Sequence, residues 1–258
     1  MHLQEEIRQF ISSAKGQIML HNKRIVVLGG SRGIGFAVAQ GAVREGAHVV
    51  IASSQEVNVA SAVGRLPEGV ATGAVVDVTS VESVTAFFAT VGAFDHLVFT
   101  AGEPLPFGKP VAEIDLAMAR GFFELRYWGA VAAVKAARPQ MRDGGSVVLT
   151  SGTSARRPPA GFAFAASICG AIESLTRALA LEFAPVRVNV VIPGMVATDL
   201  WSGVPSDTRD QIFRTMAAKL PVERIGEPED VAEAYLSFMR NTYVTGQSMI
   251  VDGGAVLV

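Results

Sequence analysis

The chain has 258 residues, half of them hydrophobic, and a formal net charge of −2. This length and composition predict one large α/β domain, and the near-neutral charge gives no indication of a nucleic-acid or anionic-membrane partner. The single cysteine excludes an internal disulfide and predicts a cytoplasmic location, and no apolar run reaches the ~18–20 residues that a membrane span needs.

The first 22 residues are predicted to form an N-terminal helical extension that precedes the domain over residues 23–258. Four apolar residues share one face of a helix over this segment: Leu3, Ile7, Phe10 and Ile11. We expect this helix to pack on the domain or on a partner subunit, with a regulatory lid as the alternative. The segment lacks the apolar core of a signal peptide.

From residue 25 onward, short runs rich in Val and Ile alternate with segments of helical periodicity. Such runs are typical of parallel strands buried on both faces, and right-handed crossovers then give a Rossmann-type doubly wound parallel sheet with helices on both faces. Strands are predicted at 25–28, 48–52, 70–76, 97–100, 146–150, 187–192 and 248–251. Helices are predicted at 34–45, 81–91, 114–137, 162–183 and 229–240, with a loop-rich stretch over 194–227.

A glycine-rich turn, in the segment IVVLGGSRGIG, joins the first strand to the first helix. Glycine lets the backbone turn tightly and approach a phosphate closely, and the helix N-terminus offers unpaired N–H groups to that anion. Because the turn follows a strand and begins a helix, the pattern predicts a dinucleotide site. The predicted site residues in this turn are Gly29, Ser31, Arg32, Gly33, Ile34 and Gly35.

The end of the second strand indicates which dinucleotide would bind. An acidic residue there would bind the ribose 2′-hydroxyl of NAD(H) and repel a 2′-phosphate. This chain has Ser53 and Ser54 instead, and Arg32 in the glycine turn can reach toward the same ribose. We therefore predict that the chain prefers NADP(H) over NAD(H).

Six ordered segments resemble the short-chain dehydrogenase/reductase family over residues 23–258. They are GGSRGIG, VVDVTS, DHLVFTAG, RVNVVIPGMVATDL, GEPEDVAEAYLSFM and TGQSMIVDGG. The resemblance implies an oxidoreductase that uses a nicotinamide cofactor and that forms homodimers or homotetramers through the helix at 162–183 and the one before it. It also implies further cofactor-binding residues: Asp77, Val78, Ala101, Gly102, Pro193, Gly194, Val196 and Thr198.

The chain departs from the family pattern at the positions to which the resemblance assigns catalytic residues. The family's Tyr-x-x-x-Lys pair aligns with Phe164 and Ile168, which can neither donate a proton nor carry a charge. We expect the Phe164 ring to point toward the nicotinamide, where a tyrosine ring would lie. The family's serine aligns with Gly152, beside Ser151, and its helper asparagine aligns with Arg126. The helix at 162–183 contains no tyrosine or lysine, so no shift of register restores the pair.

Three interpretations of this departure remain open. The first is an oxidoreductase that acts on a small apolar carbonyl, conjugated C=C or iminium substrate, with Ser151, Arg126 and Thr153 as candidate catalytic residues. The second is an NADP(H)-binding sensor or partner subunit without turnover, and the third is a non-redox enzyme that reuses the pocket. We expect the first, because the segment that would seat the nicotinamide is retained. No metal site is predicted, since the four histidines are widely spaced.

Overall fold

A computed structural model describes residues 20–103 and 108–258, so the expected N-terminal helix lies outside the described residues. Within these ranges, seven parallel strands form one sheet in the order β3-β2-β1-β4-β5-β6-β7. The strands are β1 (Arg24–Leu28), β2 (His48–Ser53), β3 (Ala71–Val75), β4 (Phe94–Phe99), β5 (Met141–Thr150), β6 (Arg187–Pro193) and β7 (Ser248–Val251). The helices are α1 (Gly33–Arg44), α2 (Glu56–Gly64), α3 (Val81–Val91), α4 (Leu116–Phe123), α5 (Gly129–Ala137), α6 (Ala163–Glu182), α7 (Ser206–Ala217) and α8 (Pro228–Arg240). The predicted doubly wound parallel sheet is confirmed.

Both faces of the sheet are covered by helices, which explains the continuous apolar strands. Within β1, Val26 and Leu28 belong to the core under α3, α5 and α6, whereas Ile25 and Val27 belong to the core under α1, α2 and α8. Each fully buried aliphatic side chain contributes roughly 1.5–3 kcal/mol through the removal of apolar surface from water. The buried central strands therefore hold in place the loops that follow their carboxyl ends.

Two helices are missing from the sequence-based prediction. Helix α2 buries only Val59 and Ala62, and α7 buries no residue at all. Because the apolar periodicity of a helix reflects the face that it buries, helices that bury so little give a weak pattern.

The helix predicted over 114–137 is interrupted by one turn of π-helix at Glu124–Trp128, between α4 and α5. Asp115 caps the start of α4, where its carboxylate accepts a hydrogen bond from the amide of Ala117 at 2.7 Å. A π turn holds one extra residue and changes the direction in which the side chains that follow it point, and such turns are frequent at functional sites. Arg126 lies inside this turn.

Helix α6 is long and apolar enough to cross a membrane by length and composition alone, which the sequence analysis did not anticipate. Its inner face packs on the sheet and buries Ile168, Ile172 and Leu179. Glu173 and Thr176 are also buried on this helix. This distribution is typical of the core helix of a globular domain.

Candidate active site

Loops from three strands meet at the carboxyl edge of the sheet, where the strand order reverses between β1 and β4. Ligands bind at this position in doubly wound sheets. A Cβ on Gly29 would lie 2.5 Å from the backbone nitrogen of Ala101, and one on Gly33 would lie 3.4 Å from the side chain of Thr198. The predicted cofactor residues of the loops after β1, β4 and β6 are therefore brought together.

Glycine is required at two points in the turn after β1. Gly29 has a φ of +84°, a conformation that other residues rarely adopt. A Cβ on Gly35 would lie 2.3 Å from the carbonyl oxygen of Gly29 and 2.4 Å from the hydroxyl of Thr100. Side chains at these positions would collide with the backbone and with Thr100, so glycine is needed for the tight turn that leads into the N-terminus of α1, where unpaired N–H groups suit a dinucleotide pyrophosphate.

The loops after β2 and β3 form the other side of this edge. Ser53 is half-buried and Ser54 is exposed at the end of β2. The Asp77 carboxylate accepts hydrogen bonds from the amide and the hydroxyl of Thr79, at 2.9 and 2.7 Å, and therefore holds the turn after β3. Val78 is buried behind it.

A small cavity of about 10 Å³ lies at the ends of β4 and β5, and this is close to the minimum volume that one water molecule needs. It brings together two of the three predicted catalytic residues, Arg126 and Ser151. The lining residues are Phe99, Ala101, Arg126, Thr150, Ser151, Ile168, Cys169 and Ile172. Because Ala101 also belongs to the predicted cofactor cleft, the cavity adjoins that cleft.

Arg126 presents an incompletely paired guanidinium to this cavity. One of its terminal N–H groups donates to the carbonyl oxygen of Glu103, whereas its buried Nε has no partner among the described residues. The guanidinium also lies beside the cofactor cleft, since a Cβ on Gly102 would lie 2.8 Å from its central carbon. Burial lowers the pKa of Arg126, but an arginine keeps its charge in proteins. The site therefore contains a fixed positive charge and a spare hydrogen-bond donor.

Ser151 presents the opposite hydrogen-bonding character. Its hydroxyl donates to the carbonyl oxygen of Cys169 at 3.1 Å, and a carboxylate oxygen of Glu173 lies 3.3 Å away. Both neighbours are acceptors, so the single hydroxyl proton is directed toward α6. Glu173 is in turn paired with Arg156 at 2.5 Å. Ser151 is thus held as an acceptor and not as a proton donor.

Cys169 on α6 also lies beside Ser151. Burial raises the pKa of the Cys169 thiol above its usual value, although the hydrogen bond from Ser151 and the charge of Arg126 oppose this shift. A Cβ on Gly152 would lie 3.2 Å from the sulfur of Cys169. The side chain nearest to the expected serine position is therefore a neutral thiol. Neither Cys169 nor Glu173 was predicted as a site residue, because both read as buried positions of an apolar helix.

Phe164 and Thr153 lie outside this cavity. The Phe164 ring packs against the rings of Phe123 and Phe122 on α4, with centroids 5.5 and 6.2 Å apart. The first turn of α6 directs this ring toward α4, and the expectation that it points toward the nicotinamide stays a prediction. Thr153 begins the short turn Thr153–Ala155 and does not line the cavity.

A buried tyrosine lies near the cavity but cannot replace the missing acid. The Tyr235 hydroxyl is 2.6 Å from the hydroxyl of Thr150, which itself donates to the carbonyl oxygen of Phe99. The proton of Tyr235 is therefore donated to Thr150. Burial also raises the pKa of Tyr235.

A larger apolar cavity of about 480 Å³ lies between α4 and the first turn of α6. Its volume falls in the range of small-molecule sites. Apolar side chains form most of its wall: Val111, Ile114, Leu116, Phe123, Trp128 and Phe164. Phe164 is thus part of a possible substrate surface and not of the polar cavity.

Comparison with known proteins agrees with this geometry. A family model described as enoyl-(acyl carrier protein) reductase matches residues 29–256. The short-chain dehydrogenase/reductase ucsE of Acremonium sp is 34% identical over 92% of this chain and 97% of its own length. Dehydrogenase/reductase SDR family member 4 of Homo sapiens is 34% identical over 91% of this chain and 88% of its own length.

Two solved structures are similar over nearly the whole chain. A small-chain dehydrogenase in complex with NADPH has a TM-score of 0.78 and 34% identity, covering 92% of this chain and 100% of that chain. The MalC reductase/Diels-Alderase from Malbranchea aurantiaca has a TM-score of 0.86 and 29% identity, covering 94% of this chain and 99% of that chain. The chain therefore belongs to the short-chain dehydrogenase/reductase family and is an NAD(P)-binding oxidoreductase of that type.

Proposed function

We propose that the chain is an NADP(H)-dependent oxidoreductase that reduces a conjugated carbonyl compound without a tyrosine acid. The observation that carries this proposal is the buried Nε of Arg126 beside the cofactor cleft, which has no partner in the part of the chain that the structure describes. A fixed guanidinium in that position can stabilise an oxygen atom on which negative charge develops.

Bound NADPH would supply a hydride. A carbonyl or conjugated C=C that accepts a hydride leaves negative charge on oxygen, and the Arg126 guanidinium lies beside the cofactor cleft, where its positive charge can act on that oxygen. Removal of one such donor typically lowers kcat by about 10²–10³. Ser151 would accept a hydrogen bond from an N–H or O–H group of the substrate, since its own proton is directed toward α6.

The absence of an acid favours a conjugated substrate over a simple ketone. A positioned proton donor is worth roughly 10²–10⁴ in rate, and the side chains that line the polar cavity include no tyrosine to act as one. An alkoxide formed from a simple ketone is strongly basic and needs that proton during the reaction. An enolate spreads its charge over several atoms and can take its proton from water afterwards. An iminium substrate is less well supported, because its positive charge would be repelled by Arg126.

Turnover of matched substrates tests this proposal. NADPH consumption is measured with a panel of cyclic enones and the corresponding saturated ketones. We expect reduction of the enones to be at least tenfold faster. Equal or faster reduction of the saturated ketones would contradict the proposal. NADPH binding without consumption of any substrate on the panel would support the alternative of a sensor or partner subunit.

The preference for NADP(H) is supported by Ser53 and Ser54, by the absence of an acid at the end of β2 and by Arg32 in the glycine turn. The similar structure in complex with NADPH is consistent with it. Fluorescence titration with NADPH and NADH measures the two affinities directly. Equal affinity, or tighter binding of NADH, would contradict this preference.

We further propose that the chain forms a homodimer or homotetramer. Leu116, Trp128 and Leu181 are exposed on α4, the π turn and α6 respectively. Large exposed apolar side chains on neighbouring helices are typical of a contact between subunits.

A second function is favoured by the apolar cavity beside Phe164. The MalC relative is described as both a reductase and a Diels-Alderase. An apolar cavity of about 480 Å³ can hold a flexible molecule in a reactive conformation and so lower the entropic part of its barrier. This function predicts that the protein accelerates cyclisation of a tethered diene–dienophile probe in the absence of NADPH. A rate equal to that in buffer would contradict it.

A further inference from the structure

An arginine from outside the predicted cofactor motif contacts the glycine turn. Arg65 directly follows α2, and its Nη2 donates a hydrogen bond to the carbonyl oxygen of Ser31 at 3.1 Å. The same guanidinium lies over the ring of Phe36 in the first turn of α1, with its central carbon 3.7 Å from the ring centroid. One side chain, 34 residues further along the chain, is therefore fixed against the phosphate turn on two sides.

The charges around this turn bear on whether it binds NADP(H) or NAD(H). NADP(H) differs from NAD(H) by a 2′-phosphate that carries negative charge, so positive charge near the adenosine ribose distinguishes the two. The end of β2 supplies none, since its sequence is Ser53, Ser54 and Gln55. Arg32 supplies one positive charge from the turn, and Arg65 contacts the residue directly before it.

We propose that Arg65 is a specificity-determining residue that favours NADP(H) over NAD(H). It holds the Ser31–Arg32 segment of the turn in place and adds a second positive charge there. Arginine has five N–H donors, and the guanidinium forms a single hydrogen bond within the part of the chain that the structure describes. Donors therefore remain available for an anion. This role rests on the proposed preference for NADP(H).

Three substitutions separate the charge of Arg65 from its support of the turn. Arg65→Ala removes both the charge and the hydrogen bond. Arg65→Gln removes the charge and shortens the side chain, whereas Arg65→Lys keeps the charge but loses the planar group that stacks on Phe36. Arg44→Ala is the matched control, because Arg44 is an exposed arginine at the opposite end of α1.

The test is fluorescence titration of each variant with NADPH and NADH, together with competition by 2′,5′-ADP and by 5′-AMP. We expect Arg65→Ala and Arg65→Gln to bind NADPH and 2′,5′-ADP about tenfold more weakly, while NADH and 5′-AMP change by less than about twofold. Arg65→Lys should lie between these variants and the wild type. Arg44→Ala should match the wild type for all four ligands.

Two results would overturn the role of Arg65. An equal loss of NADPH and NADH affinity in Arg65→Gln would show that the residue only supports the turn, and unchanged NADPH affinity would show that it does not contribute. A wild-type protein that binds both cofactors equally would contradict the proposed cofactor preference itself, and the role of Arg65 would fail with it. Thermal melting identifies any variant that has lost its fold, and the decision rests on the comparison of Arg65→Lys, which keeps the charge, with Arg65→Gln, which removes it.

Discussion

Arg126 and Ser151 differ in their role as hydrogen-bonding groups at the polar cavity. Arg126 is a donor, and Ser151 is proposed to be an acceptor. The buried Nε of Arg126 has no partner within residues 20–103 and 108–258 and can donate a hydrogen bond, whereas the Ser151 hydroxyl already donates its proton to α6. The sequence predicted both residues, because Arg126 aligns with the family's helper asparagine and Ser151 lies beside the position of its serine. It did not predict the direction of the serine proton, which depends on contacts with Cys169 and Glu173 on a distant helix.

Substitution of Ser151 tests the direction of its proton. We expect Ser151→Ala to lower kcat/KM for an enone by less than about tenfold, because the hydroxyl only orients a substrate donor. Steady-state kinetics with saturating NADPH provide the measurement, and Ser154→Ala in the adjacent turn is the control. A loss of about 10³ would show that Ser151 donates a proton in the reaction, contrary to the geometry.

His96 should make the fold sensitive to acid. Its ring is buried and Nδ1 lies 2.9 Å from the hydroxyl of Ser146, and burial lowers its pKa to about 3. The unfolded chain binds a proton at this residue near pH 6.5 and the folded chain does not, so stability is lost as the pH falls below 6.5. Between pH 6.5 and 5, this residue should account for about 2 kcal/mol of the decrease in unfolding free energy.

Urea denaturation of the wild type and of His96→Asn at pH 7 and pH 5 measures this effect. The variant should lose less stability between the two pH values than the wild type does. The same pH dependence in both proteins would show that His96 does not cause it.

At the level of helices and strands, the sequence predicted most of the fold. It did not predict which residues of α6 pack on α4 and which line the polar cavity. Successive residues of an α-helix differ in direction by about 100°, so an alignment uncertainty of one residue changes which side chain faces the cavity. Phe164 packs on α4, whereas Ile168 and Cys169 line the cavity. The π turn around Arg126 also left no mark in the sequence, because the helical pattern continues across it.

The cap of α4 supports the helix that leads to Arg126. The Asp115 carboxylate accepts hydrogen bonds from the amides of Ala117 and Met118, at 2.7 and 3.3 Å. We expect Asp115→Ala to lower the unfolding free energy by about 1 kcal/mol, because two amides lose their partner. Urea denaturation at pH 7 measures the change. Asp115→Asn, which keeps an acceptor oxygen, should lose less stability, and an equal loss in both variants would contradict the capping role.

At the scale of the whole molecule, the exposed apolar side chains of α4 and α6 are the basis of the proposed assembly of subunits. Leu181 is 83% exposed near the end of α6. Light scattering at micromolar concentration should give at least twice the chain mass of 27.1 kDa. Leu181→Glu should shift the population toward monomers, whereas Val57→Glu, at an equally exposed position on α2, should not. A wild-type monomer would contradict the proposed assembly.

The central claim is that Arg126 replaces the missing acid through electrostatic stabilisation. Its most direct test is the rate of hydride transfer from NADPH to an enone in Arg126→Ala, Arg126→Lys and the control Arg44→Ala, with NADPH affinity measured for each protein. We expect Arg126→Ala to lower this rate by about 10²–10³ with NADPH affinity nearly unchanged, and Arg126→Lys to recover part of the loss. An Arg126→Ala variant that reduces the enone as fast as the wild type would contradict the claim.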